Sequence, residues 1–128
     1  MSLKEIAVEG CTLEFQNGGT GTITINPNQA STRVKAEGKG VYTSLQFTIS
    51  GYTGGAITVA KSGSGSGVIN ATAQKVKVEG SAVFLKGDVS STITISGLKP
   101  AEGGGTAPAT ATEIVKITNA GQTKVKGA

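Results

Sequence analysis

Val76-Lys-Val-Glu-Gly80-Ser-Ala-Val83 decides how this chain is read, because its arrangement recurs at Ile6-Ala-Val-Glu-Gly10-Cys-Thr-Leu13 and Val34-Lys-Ala-Glu-Gly38-Lys-Gly-Val41. All three read apolar-x-apolar-Glu-Gly-x-x-apolar. Four of the seven Glu precede a Gly, where 20 Gly in 128 residues would give about one by chance. The apolar parity changes across each Gly, so the chain must bulge or turn there for both arms to face one core. Glycine suits such a corner because it takes positive φ without a Cβ clash. Gly10, Gly38 and Gly80 are therefore the expected structural corners. Their unequal spacing excludes a solenoid with fixed rungs and fits a compact body of approximate internal repeats.

Outward from these copies, the chain alternates apolar and polar residues in short runs, as at Ile23/Ile25, Phe47/Ile49, Ile57/Val59, Ile93/Ile95 and Val115/Ile117. The runs are rich in Val, Ile and Thr, bounded by Gly, Asn, Pro or Ser, and read as strands. No window holds a capped helical period, so the predicted fold is all-β. The length suits one domain spanning 1–128. Loops are expected at 16–20, 26–28 and 51–55, with flexible Gly-rich loops near 61–67 and 99–109. The 61–67 stretch looks like an interdomain linker, but two halves of roughly 60 residues with so few aromatics would be marginal cores.

Composition excludes much chemistry. The chain has no His, one Cys and no Trp, so imidazole-based catalysis and His-ligated zinc are ruled out. Cys11 stands alone and cannot form an intrachain disulfide; with no imidazole to activate it, a structural thiol is expected. The acids Glu9, Glu14, Glu37, Glu79, Asp88, Glu102 and Glu113 are dispersed, without a calcium-loop pattern. The expected reading has no catalytic residue, metal or cofactor.

The net charge of +4 comes from basic residues that alternate with valine, as at Arg33/Lys35, Lys75/Lys77 and Lys124/Lys126. Such alternation describes the solvated face of a half-buried sheet, and with little aromatic stacking surface no nucleic-acid partner is expected. The start, MSLKEIAVEG, lacks the apolar core of a signal peptide, and no run of 18 apolar residues occurs. Synthesis and assembly in the cytoplasm are the expectation.

The segment Ala73-Gln-Lys-Val-Lys-Val-Glu-Gly-Ser-Ala-Val-Phe-Leu-Lys-Gly-Asp88 resembles the V-x-V-x-G-x-x-V-x-x-x-G-D repeat of PAAR and PAAR-like proteins. Thr32–Leu45 carries a weaker copy without the Gly-Asp, and Asn119–Lys126 is similar to the last strand of such proteins. The resemblance implies a cone of short strands with pseudo-threefold symmetry, with Gly87 and Asp88 joining the corner residues as structural positions. It implies a tip that caps the trimeric spike of a contractile injection system, whether type VI secretion, phage tail or extracellular particle. One copy would sit on each trimer, an effector could be attached, and the particle would deliver the tip outside the cell into transient contact with a target membrane. The family's usual His-bearing metal site and its Pro-Ala-Ala-Arg tetrapeptide are absent. A different class, an Ig-like or other β-sandwich serving adhesion or virion decoration, shares the short Thr/Val strands.

Overall fold

The computed structural model describes residues 3–128. Its regular elements are strands throughout: β1 (Lys4–Glu5), β2 (Thr12–Phe15), β3 (Thr20–Ile25), β4 (Ala30–Ala36), β5 (Lys39–Tyr42), β6 (Gln46–Thr53) and β7 (Gly63–Val68). The remainder are β8 (Lys77–Val78), β9 (Ser81–Ala82), β10 (Ile93–Pro100), β11 (Thr106–Glu113), β12 (Val115–Asn119) and β13 (Lys126–Gly127). The chain is all-β.

Five strands make one antiparallel sheet in the order β11-β10-β7-β6-β3, and the others pair as β12-β2, β4-β5, β8-β9 and β1-β13. The large sheet follows from strict alternation. Phe47, Ile49, Ile93, Ile95, Ala109 and Ala111 point inward and are buried, while Thr22, Thr24, Thr48, Ser50, Thr94, Ser96, Thr110 and Thr112 face solvent. Behind its inner face, Val115 and Ile117 of β12, with Ala7, Leu45 and Phe84, complete the main core. Each fully buried Ile, Leu or Phe contributes roughly 1.5–3 kcal/mol relative to exposure.

The chain corrects three expectations drawn from its glycines. Residues 61–67 are not a flexible loop: β7 is an interior strand, paired with β6 and with β10. Here Gly alternates with Ser, Gly inward and Ser64 and Ser66 outward. The inward places must be empty because large neighbours lie across them. A Cβ at Gly67 would come 2.6 Å from Ile93 Cδ1 and 3.0 Å from Phe47 Cζ; one at Gly63 would come 2.9 Å from Tyr52 Cβ. The second expected loop, 99–109, shrinks to Ala101–Gly105. Strand β10 runs through Pro100 and β11 starts at Thr106, and the turn closes with Ala101 N–H donating to Gly105 O at 3.1 Å. Similarly, 51–53 belong to β6, where the register shifts between Ile49 and Tyr52 and Gly51 takes φ 62°. That shift is a bulge. Ile57, expected in a strand, instead forms an isolated bridge with Gly54.

One end of the main core is closed by a carboxylate. β11 passes into β12 through Ile114, leaving the large sheet for the layer behind it, and β2 makes the reverse crossing to β3 through residues 16–19. Glu113 sits between these two crossings with no exposed surface. Its Oε1 accepts from the N–H groups of Gln16 (3.1 Å), Asn17 (2.7 Å) and Ile114 (3.2 Å). Its Oε2 accepts from Gly19 N–H (3.1 Å) and from the Tyr52 hydroxyl (2.8 Å). Backbone donors at the change of sheet thus converge on one side chain, Gln16 N–H sharing with it a ladder bond to Ile114 O at 2.8 Å, as burial demands.

Candidate functional site

The three Glu-Gly copies gather around a second, smaller core formed by Ile6, Val8, Ala36, Val41, Val78, Val83 and Leu85, with Ala73 beside them. Glu37-Gly38 and Glu79-Gly80 are the two-residue loops of the β4-β5 and β8-β9 hairpins, since Ala36 pairs with Lys39 and Val78 with Ser81. All four loop residues have positive φ: 51° and 79° in the first, 52° and 83° in the second. This is the type I′ geometry whose twist matches the flanking strands. The first copy differs. Gly10 has φ 93° and Cys11 N–H donates to Val8 O at 3.0 Å, but Glu9 keeps negative φ, and the turn leads into β2 rather than back along a hairpin.

Residues 5–9 are the hub on which these pieces meet. On one side Ala7 N–H donates to Phe84 O (2.8 Å) and Lys86 N–H to Glu5 O (2.8 Å), bringing in the third copy. On another, Val8 bridges Val41, and Glu9 grips both backbone groups of Gly40. Its N–H donates to Gly40 O, and its Oε1 accepts from Gly40 N–H, each at 3.0 Å. Glycine is required there chiefly because a Cβ at Gly40 would lie 2.5 Å from the Ser31 carbonyl oxygen, and it would also come 2.9 Å from Glu9 Oε1. On the last side Val8 N–H donates to Ala120 O (2.9 Å) and Ile6 N–H to Val125 O (3.0 Å). Gln122, itself buried, anchors that C-terminal segment: its Nε2 donates to Ile6 O and Val125 O, and its Oε1 accepts from Lys124 and Val125 N–H.

The Gly-Asp of the third copy forms the next turn. Gly87 has φ 98° and donates its N–H to Ile117 O at 2.9 Å. Asp88 is buried, and its carboxylate accepts from Leu85 N–H (2.9 Å), Thr72 N–H (3.3 Å) and the Thr72 hydroxyl. Asp88 therefore ties the turn to the 70–73 segment and joins the small core to the main one. Gly10, Gly38 and Gly80 have open space around the position of a Cβ, as does Gly87, so it is their φ, not crowding, that selects glycine there.

Cys11 is half-buried beside the first corner. Burial pushes its thiol up from 9.0 to about 11, with its own backbone opposing part of the rise. Burial likewise lifts Tyr42 to about 12, helped by Cys11 and Glu9; it lifts Tyr52 to about 12, helped by its hydrogen bond to Glu113. Among the described residues no group of three or more His, Cys, Asp or Glu is placed to hold a metal ion. Every buried side-chain nitrogen and oxygen among them has a hydrogen-bond partner. No helix among them is long and apolar enough to cross a membrane.

Sequence reading left out the buried amides and the full role of Glu113. Gln29 is the counterpart of Gln122: its Oε1 accepts from Gln46 N–H (2.7 Å), and its Nε2 donates to Asn26 O and Gln46 O. A polar residue directly after a turn signal, Asn26-Pro-Asn28 before Gln29 and Ala120-Gly121 before Gln122, was the available clue. No family model matches the chain, and no curated protein or solved structure matches it.

Proposed function

We propose that this protein is a structural, non-enzymatic tip that caps the trimeric spike of a contractile injection system and sharpens it for membrane puncture. One observation carries the reading: three copies of one Glu-Gly motif contribute to a single small core, apart from the main one, around the central segment 5–9. That is what a tapered body of repeated corners with approximate threefold relation needs. The dense stapling of backbone by Glu9, Asp88, Glu113, Gln29 and Gln122 also suits a part loaded mechanically, because buried networks with all members satisfied are rigid. In this reading the five-stranded sheet is an elaboration on the tip, built from the segments between the copies.

The test is co-expression with the trimeric spike of the same particle, followed by native mass measurement. A complex of one chain per spike trimer is expected; free chain beside bare trimer refutes the proposal. A β-sandwich adhesion or decoration module is the second reading. It is favoured by the way β11 and β12, and β2 and β3, cross between the large sheet and the layer behind it, and it predicts no complex with spike.

A further inference from the structure

We propose that the outer edge of β3 is an acceptor for an extended segment of another protein, which adds to the large sheet as a sixth strand and carries apolar and basic side chains. β3 ends the sheet order, and hydrogen-bond phase shows which of its groups are unused. Asn26 N–H donates to Gln46 O at 2.9 Å, so in the β3-β6 register the positions bonded to β6 are Thr24 and Thr22. The backbone N–H and C=O of Ile23 and Ile25 therefore point away from β6. The facing strand repeats the pattern. Gln16 N–H donates to Ile114 O at 2.8 Å, so in the β2-β12 register Leu13 and Phe15 turn their backbone groups away from β12. Among the described residues, none of these four has a backbone hydrogen bond on that side.

Although β2 and β3 are consecutive in the chain, they do not pair. Glu113 binds the connecting residues 16, 17 and 19 and holds the two strands in different layers. Two clefts follow the unpaired edge of β3. One, of about 310 Å3, lies between Leu13, Phe15 and Ile23, where Gly19 and Gly21 leave the wall without side chains. The other, of about 370 Å3, runs from Ile25 to Tyr42. Unpaired strand edges bind extended peptide by main-chain hydrogen bonds, with side-chain pockets giving selectivity. Charge names the occupant: the charged residues lining these clefts are Glu14 in the first and Glu9 in the second, both acids on a chain of net charge +4. A segment bearing Lys or Arg among apolar residues matches both clefts, and an acidic one is repelled. The inference does not rest on the spike reading: Glu9 of the first corner lines the second cleft, but the acceptor is the β3 edge and it is tested without spike.

The probe is a capped six-residue peptide of alternating valine and lysine, added to the full chain at up to about 1 mM, with the valine-glutamate peptide as its counterpart. Amide exchange by NMR should slow at least about tenfold at Ile23 and Ile25 and stay unchanged at Thr22 and Thr24, which are already in the ladder. N-methylating alternate peptide amides should abolish binding in one phase and spare it in the other. The acidic peptide should bind at least about tenfold more weakly, and Glu9→Gln with Glu14→Gln should erase that preference. Absence of protection at Ile23 and Ile25, or equal loss in both methylation phases, overturns the proposal. So does a concentration-dependent dimer that the peptide leaves intact, which would assign the edge to a second copy.

Discussion

Glu113→Gln is the sharpest probe of what holds the two layers together. The exchange keeps size and shape and alters one oxygen. If the amide oxygen stays at the Oε1 position, it still accepts from Gln16, Asn17 and Ile114; the amide nitrogen then faces Gly19 N–H and the Tyr52 hydroxyl. Tyr52 can rotate its proton away and accept, but Gly19 N–H meets another donor. A buried donor left without a partner costs about 1–3 kcal/mol. The three surviving bonds also lose charge assistance, about half their strength; this is offset because a neutral amide no longer has to be held out of water as a charge. The net expectation is a loss of about 2 kcal/mol. With a urea slope of about 2 kcal/mol per molar, it should lower the unfolding midpoint by about 1 M.

Two companions make the outcome specific. Tyr52→Phe removes one donor from a carboxylate that keeps four others, so it should cost about 1 kcal/mol. The double variant should show coupling of at least about 0.5 kcal/mol, since the groups touch at 2.8 Å. An unchanged or raised midpoint for Glu113→Gln would refute the argument: it would mean that desolvating the charge costs as much as its five hydrogen bonds return. Strict additivity with Tyr52→Phe would refute the contact itself.

The remaining predictions use other parts of the molecule. Gly67→Ala should destabilise by about 1–3 kcal/mol through overpacking against Ile93 and Phe47, whereas Ser66→Ala on the opposite face should stay within about 0.5 kcal/mol; tolerance of Gly67→Ala in urea unfolding would return 61–67 to a loop. Glu79→Asn should stabilise by about 0.5 kcal/mol, because φ of 52° suits Asn better than Glu, and Gly80→Ala at φ 83° should destabilise by about 1 kcal/mol. Tyr52, Tyr42 and Cys11 all have folded pKa values raised above their ordinary 10.0, 10.0 and 9.0. Their contribution is thus complete below pH 9 and is lost as pH climbs through the folded values, so urea midpoints should fall between about pH 9 and 12; a midpoint constant across that window would contradict the burial of these groups. At pH 7.5 the Cys11 thiol should react with a disulfide reagent at least about tenfold more slowly in the folded chain than in urea, because its pKa rises to about 11.

How much of this was legible in the residues depends on which side chains mark the alternation. Wherever Val, Ile or Phe occupied the inward places, as in β6 and β10, period two was plain and the strands were found. In β7 the same period is written with Gly inward and Ser outward, so a reading keyed to apolarity saw a flexible loop. The information that would have corrected it lies in β6 and β10, whose Phe47, Tyr52, Ile93 and Ile95 side chains fill the space above those glycines. It is a property of three strands together and cannot be found within one. The same holds at Glu113: its neighbours in sequence say only that a strand ends there, and three of its five donors come from residues more than ninety positions away. Glu37-Gly38 and Glu79-Gly80 behave oppositely, because a two-residue turn needs only its own φ values and the pairing of its flanks. Local geometry leaves a mark in local sequence, whereas the crossing between layers, and the free edge it leaves beside β3, arise from distant segments meeting. Variation at the Gly38 and Gly80 corners should therefore act within one hairpin, while a change at Glu113 should reach both layers and the β3 edge; Glu113→Gln should accordingly raise amide exchange at Ile117, whose N–H is held by Asp88 O, and at Thr22, which is in the β6 ladder, together.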